Sequence, residues 1–173
     1  MSVVVVLCTG NAARSVMAGA ALRAAAPDVR VTTAGTHVID GQPQSWRTRD
    51  AMAEVGLADP AHRSSQLRPD ELAEADLVIA MATEHVRWIR RHHPEAAGRT
   101  ATLKRLRDAL PPDGGDLRRR VDRLDLGEVE LEEWEDIADP AGGEIEEFVA
   151  CAREVRRLAD EVAPLLRPPE APG

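Results

Sequence analysis

A run of β-forming residues, Val3-Val4-Val5-Val6-Leu7, stops at Cys8-Thr9-Gly10-Asn11-Ala12-Ala13-Arg14-Ser15, and an Ala-rich helical stretch begins at once. A buried strand, a short loop of small residues and a helix in immediate succession leave few folds open. The loop must turn successive backbone N–H groups inward at the positive end of the helix, which makes a cradle for a tetrahedral oxyanion. Thr9, Gly10, Asn11, Ala12, Ala13 and Arg14 would line it, with Gly10 and Asn11 where positive φ is tolerated. A thiol at the first position, Cys8, lies in the same field, which favours its thiolate and makes the sulfur a nucleophile. Arg14 can fork two N–H groups onto two phosphoryl oxygens, and Ser15 can hydrogen-bond a thiolate. The plain alternative is a buried free cysteine at a strand end with Arg14 merely solvated, since a bare Cys-x5-Arg arises by chance in many chains.

Further apolar runs short enough for buried strands recur at Val29 to Thr33, Leu77 to Met81 and, more weakly, Thr100 to Leu103. Helical patterns separate them: Ser15 to Ala26, apolar nearly all round, Ser45 to Val55, Pro69 to Ala73, and Glu84 to Arg91. Alternating strand and helix predicts an α/β three-layer fold, a parallel sheet with helices on both faces. Ligands in such sheets bind beyond the carboxyl ends of the strands, where the Cys8 loop lies. A last helix, Glu144 to Leu166, sets Ile145, Phe148, Val149, Ala152, Val155, Ala159 and Val162 on one face. The expected organisation is a single domain over 1–166, a variable surface excursion at about 108–137, and a disordered Pro-rich tail at 167–173. Within the excursion Pro111 to Gly115 reads as a flexible loop. Residues 125–136 hold seven acids and no base, either a solvated helix face or a docking face for a basic partner.

Net charge is −8, which argues against nucleic acid as a partner even though all but one of the 22 Lys and Arg residues are arginine. No apolar run approaches the roughly 20 residues needed to cross a bilayer, so no membrane insertion is expected. Cys8 and Cys151 are the only cysteines, too few for a disulfide framework, and no charged-then-apolar leader precedes the first strand. A cytoplasmic monomer is expected. Cys151 lies beside the apolar stripe of the last helix and reads as a small core residue. The five histidines show no ligand spacing, so neither a metal nor another cofactor is expected.

Phosphoryl transfer through a cysteine needs a proton donor for the leaving atom and then a base for the water that cleaves phosphocysteine. Asp139 is the best candidate, because Pro140 fixes φ just after it and Gly142 and Gly143 follow. With this loop and the Cys8 loop together, the chain resembles the low-molecular-weight protein tyrosine phosphatase family, in its bacterial form related to arsenate reductases. Thr33-Ala34-Gly35-Thr36, His62-Arg63-Ser64-Ser65-Gln66-Leu67 and Ala75-Asp76-Leu77-Val78-Ile79-Ala80-Met81 are also similar to bacterial members; only about 108–137 looks unlike them. The resemblance implies a four-stranded parallel sheet, Cys8 as nucleophile, Arg14 as phosphate clamp, Asp139 as general acid and base, and Ser15 as thiolate donor. It also implies Asn11 as the strained loop residue, with Thr33 standing where a serine usually supports it. The substrate would be a phosphorylated protein or small phosphomonoester.

Departures from the family pattern bear on the substrate. Ala13 stands where many members have a second cysteine that rescues an oxidised nucleophile. Ala12 replaces a bulky Ile, a change similar to the one that admits phosphoarginine in some bacterial members. Ala141 and Gly142 replace tyrosines, and Ile39 stands roughly where an aromatic is common, leaving an aliphatic, open cleft. Arg14-Ser15-Val16-Met17-Ala18 is also similar to family-related arsenate reductases; with only Cys151 to spare, the version coupled to a small-molecule thiol is the one that survives. A third alternative is a phosphate-binding regulatory module with weakened catalysis.

Overall fold

Residues 1–113 and 115–167 are described by a computed structural model of the chain. Its centre is a four-stranded, all-parallel sheet in the order β2-β1-β3-β4, with β1 at Val3–Cys8, β2 at Arg30–Gly35, β3 at Leu77–Ala80 and β4 at Thr100–Thr102. The register pairs Cys8 with Gly35 and Leu7 with Ala80, so β1 ends level with both neighbours and the loop after it opens at the sheet's carboxyl edge. Alternation along β1 sends Val4, Val6 and Cys8 to one face and Val5 and Leu7 to the other.

The first face is covered by α1 (Arg14–Ala25), α2 (Trp46–Glu54) and the long C-terminal α7 (Ile145–Leu166), whose Phe148, Ala152, Val155, Ala159 and Val162 are buried as the stripe predicts. Every residue of α1 from Arg14 to Leu22 is buried, because this helix is enclosed between sheet and α7. The opposite face packs Leu72 of α3 (Pro69–Glu74) and Ile89 of α4 (Thr83–His92) onto Val5, Leu7 and Val78. Leu103, expected to close the fourth strand, instead opens α5 (Leu103–Ala109); Thr102 ends β4 by capping that helix, its hydroxyl accepting from Arg105 N at 3.1 Å.

The reading of 108–137 as a surface excursion is corrected. Leu117 and Val121, one turn apart on α6 (Leu117–Asp122), are buried in the main core with Leu126 and Ile137. Between them Arg120 is fully buried, and it donates to the carbonyls of Pro111, Gly115, Leu165 and Arg167 at 2.7–3.0 Å. Pro111 and Gly115 are therefore tied through Arg120 to the end of α7; Gly114, in the stretch read as a flexible loop, lies outside the described residues. The acidic 125–136 stretch forms two short 3-10 turns rather than a solvated helix. Its Glu135 is fully buried, held by Arg105 at 2.8 Å and by the Thr102 hydroxyl at 2.9 Å. Of the expected tail only Arg167 is described. It is not loose, since its guanidinium donates to Ala25 O at 2.6 Å; 168–173 lie outside the described residues.

Candidate active site

The Cys8 loop is rigid because Asn11 fills its centre. Asn11 is fully buried at φ 50°, a left-handed conformation that costs little for Asn and more for residues whose side chain cannot bond locally. Gly10 does not share it: among the loop residues only Asn11 has positive φ. The Asn11 amide donates to Ser15 Oγ at 2.8 Å and Thr33 Oγ1 at 3.0 Å, and its oxygen accepts from Ser65 N at 3.0 Å. Asn11 O faces His62 Nε2 at 2.9 Å, and Thr48 Oγ1 donates to Ala12 O at 3.0 Å. With the loop carbonyls drawn outward, the N–H groups are left to face inward. Gly35 lets β2 approach: a Cβ there would lie 2.5 Å from Thr9 O.

Cys8 is buried, with Sγ 3.0 Å from Ser15 Oγ. Because Ser15 Oγ already accepts from Asn11, its one proton is free to point at sulfur and support a thiolate. Arg14 is buried and not solvated. Nη1 donates to Ile137 O at 3.0 Å, which aims the guanidinium, while Nη2 lies 3.5 Å from Asp139 Oδ2 and 3.8 Å from Glu84 Oε1. The first turn of the chain's first helix and a loop some 125 positions later thus meet on one guanidinium. Asp139 is half-exposed; its other oxygen accepts from Ala141 N at 3.0 Å, and Gly142 closes the turn at φ 83°. Nearby Asp136 is already committed, its Oδ1 accepting from Thr83 N at 2.7 Å at the start of α4.

The sequence gives no sign of a second network on the other side of Arg14. His85 is fully enclosed, and its pKa is lowered to about 4, first by burial and then by the Arg14 charge, so the ring is neutral near pH 7. Nδ1 accepts from Ala82 N at 3.1 Å, which puts the proton on Nε2, 2.9 Å from Thr9 Oγ1 and 3.2 Å from Glu84 Oε1. The single Nε2 proton goes to Thr9 Oγ1, so the approach to Glu84 is not an ion pair. Thr9, accepting from His85, donates its own proton to Glu84 Oε1 at 3.2 Å. His62, Ser65, Thr48, Glu84 and His85 all reach the loop from distant segments.

Ala12 lines two recesses. One, about 270 Å³, contains Ile39, His37 and Pro43; the other, about 320 Å³, contains Ala141, Arg47 and Phe148. Neither has a tryptophan in its lining. Trp88 packs among His37, His92 and His93, while Trp46 and Trp134 are half-exposed beside Arg47 and Arg105. A larger cleft of about 520 Å³ lies behind the Asp139 loop, with Cys151 in its wall. Burial pushes that thiol up to about 12, so it stays protonated, as a core residue would. Among the described residues no group of three or more His, Cys, Asp or Glu is placed to hold a metal, and no helix is long and apolar enough to cross a membrane.

Residues 3–167 match the family model for low molecular weight phosphotyrosine protein phosphatase. The chain is 35% identical over 162 residues to a protein-arginine-phosphatase of Geobacillus stearothermophilus, covering 93% of each chain. It is 37% identical over 95 residues, 55% of this chain and 66% of the relative, to the probable low molecular weight protein-tyrosine-phosphatase EpsP of Ralstonia solanacearum. Its fold superposes on the solved structure of YwlE arginine phosphatase from Geobacillus stearothermophilus with a TM-score of 0.74, at 32% identity and covering 94% and 91% of the two chains. A match that runs from the first strand to the last helix brings the nucleophile loop and the aspartate loop under one assignment: the chain belongs to the low molecular weight phosphotyrosine protein phosphatase family, and it is a cysteine-dependent phosphatase.

Proposed function

We propose that this phosphatase works through a phosphocysteine on Cys8, with Asp139 moving the proton. The phosphoryl group would sit on the inward N–H groups of Thr9 to Arg14, two of its oxygens forked by Arg14. Cys8 Sγ attacks phosphorus in line; the bond to the leaving atom breaks as Asp139 delivers its proton there. Asp139, now a carboxylate, takes a proton from water as that water attacks phosphocysteine, which frees phosphate and returns the thiolate. Ser15 steadies the sulfur in both steps. The observation that carries this reading is the meeting of Asp139 and the nucleophile loop on the Arg14 guanidinium, 3.5 Å from the carboxylate. Asp136 is a weaker candidate, since its carboxylate already holds Thr83 N.

Non-aromatic phosphoryl groups, phosphoarginine among them, are the favoured substrates under this reading. Ala12 and Ala141 leave no bulky gate, with Phe148 the one ring in their recess, and a relative matched over 93% of each chain is an arginine phosphatase, while another matched over 95% of each is a probable tyrosine phosphatase. Phosphotyrosine remains a substrate, because losing a ring contact of about 0.5 to 1.5 kcal/mol weakens a preference without closing the site. A nucleophile that must stay a thiolate also favours a reducing compartment such as the cytoplasm, and both cysteines are free. Phosphate release from matched peptides bearing phosphoarginine and phosphotyrosine, by wild type and Cys8→Ser, tests the proposal. Both activities should vanish in Cys8→Ser, with phosphoarginine the better substrate of wild type. Appreciable turnover by Cys8→Ser would overturn the mechanism.

A further inference from the structure

We propose that Glu84 is a specificity residue, a carboxylate at the mouth of the site that reads positive charge on the group carrying the phosphoryl. This rests on the phosphatase reading above and names its substrate class more closely: a phosphorylated guanidinium. The mechanism requires one carboxylate at the Arg14 guanidinium, and two are present. Asp139 stands 3.5 Å from Nη2 and Glu84 3.8 Å from it. Of the groups beside this guanidinium, Asp136 is an acid and His85 is neutral, while the cation Arg47 lies with Glu144 in the neighbouring recess lined by Ala12 and Ala141. Because Asp139 brings the proton that the leaving atom takes, Glu84 is the acid left to oppose the negative charge developing on a departing phenolate. It suits a phosphorylated guanidinium, which departs as a cation.

Glu84 is built to face outward. Oε1 accepts from the Thr9 hydroxyl at 3.2 Å, which holds the carboxylate against the loop residue next to Cys8, and Thr9 in turn accepts from His85 Nε2 at 2.9 Å. The side chain nonetheless remains 63% exposed, so Oε2 is available at the rim. Neutral His85, its proton placed on Nε2 by the Ala82 N–H bond, donates to Thr9, so the carboxylate does not share its charge with an imidazolium. A charge-assisted hydrogen bond from a substrate guanidinium to Oε2 adds directional recognition beside the phosphate clamp.

The test measures kcat/KM of wild type, Glu84→Gln and Thr9→Val on phosphoarginine and on p-nitrophenyl phosphate. Glutamine keeps an acceptor for Thr9 while removing the charge. Glu84→Gln should lower phosphoarginine turnover about 10-fold, the order expected of one solvent-facing charge-assisted contact, and raise turnover of the aryl phosphate. Thr9→Val, which loosens the loop and leaves the charge, should lower both together. An equal fall on both substrates in Glu84→Gln, or an unchanged ratio, would show a loop-positioning role only and overturn the proposal. If wild type hydrolyses the aryl phosphate and leaves phosphoarginine intact, the substrate reading itself fails and takes this proposal with it.

Discussion

Acidification should unfold this protein partly through one buried histidine in the site. In the unfolded chain His85 takes a proton near 6.5, whereas in the fold it resists until about 4, because burial and the Arg14 charge outweigh the pull of Glu84, Asp139 and Asp136. Between those values the unfolded state binds more protons, so stability falls as pH drops and is fully present only above the unfolded value. The interval from 6.5 to about 4, at about 1.4 kcal/mol per pH unit, amounts to about 3 kcal/mol. No discount for solvent is due, since the side chain is 1% exposed. About half of that, roughly 1.5 kcal/mol, is lost between about pH 6.5 and pH 5, before most carboxylates titrate. Urea unfolding across that window, on wild type and His85→Asn, measures it. Asparagine can still accept from Ala82 N, so the variant should fold, start less stable near neutrality, and show a slope flatter by about 1 kcal/mol per pH unit. Equal slopes in the two proteins would refute the argument.

The other expectations concern the proton donor, the open cleft and the buried arginine. Asp139→Asn should slow turnover of phosphates with poor leaving groups by roughly 10²- to 10⁴-fold and of aryl phosphates by less, measured as steady-state phosphate release; a harmless change on alkyl phosphates would move the acid elsewhere. Ala141→Tyr should raise kcat/KM for aryl phosphates by up to ~10-fold without a matching gain on alkyl phosphates. Arg120→Met would leave four partly exposed carbonyls without their donor, and should cost about 1 to 3 kcal/mol in urea unfolding. A loss under about 1 kcal/mol would mean that water replaces the guanidinium easily.

The shape of the Cys8 loop was legible because strand, loop and helix follow one another within Val3–Ser15, a succession that suits an anion cradle. Asp139 was legible only beside that loop and a family resemblance; nothing in Asp139-Pro140-Ala141-Gly142-Gly143 by itself says which side chain it meets. Of the residues that hold the loop from outside, His62 and Ser65 stood in a stretch similar to bacterial members but with no role attached, and Thr48 and His85 left no pattern, since the partners lie 36 to 76 positions away. Charge density misled the reading of 108–137. Arg-rich α6 looked solvated, yet its Leu117 and Val121 share a buried face, and Arg120 enters the core because four carbonyls receive it. Glu135 is buried for the complementary reason, a two-pronged pairing with Arg105 at 2.8 Å.

Trapping the covalent intermediate tests the central claim most directly. Asp139→Asn lacks the base for the second step, so mixing it with p-nitrophenyl phosphate and quenching should accumulate phosphoenzyme. Peptide mass spectrometry should then find one phosphoryl group, on the peptide containing Cys8, with none in a Cys8→Ala control. A phosphoryl group on another residue, or an unmodified Cys8 in enzyme that has released a stoichiometric burst of nitrophenol, would contradict the account.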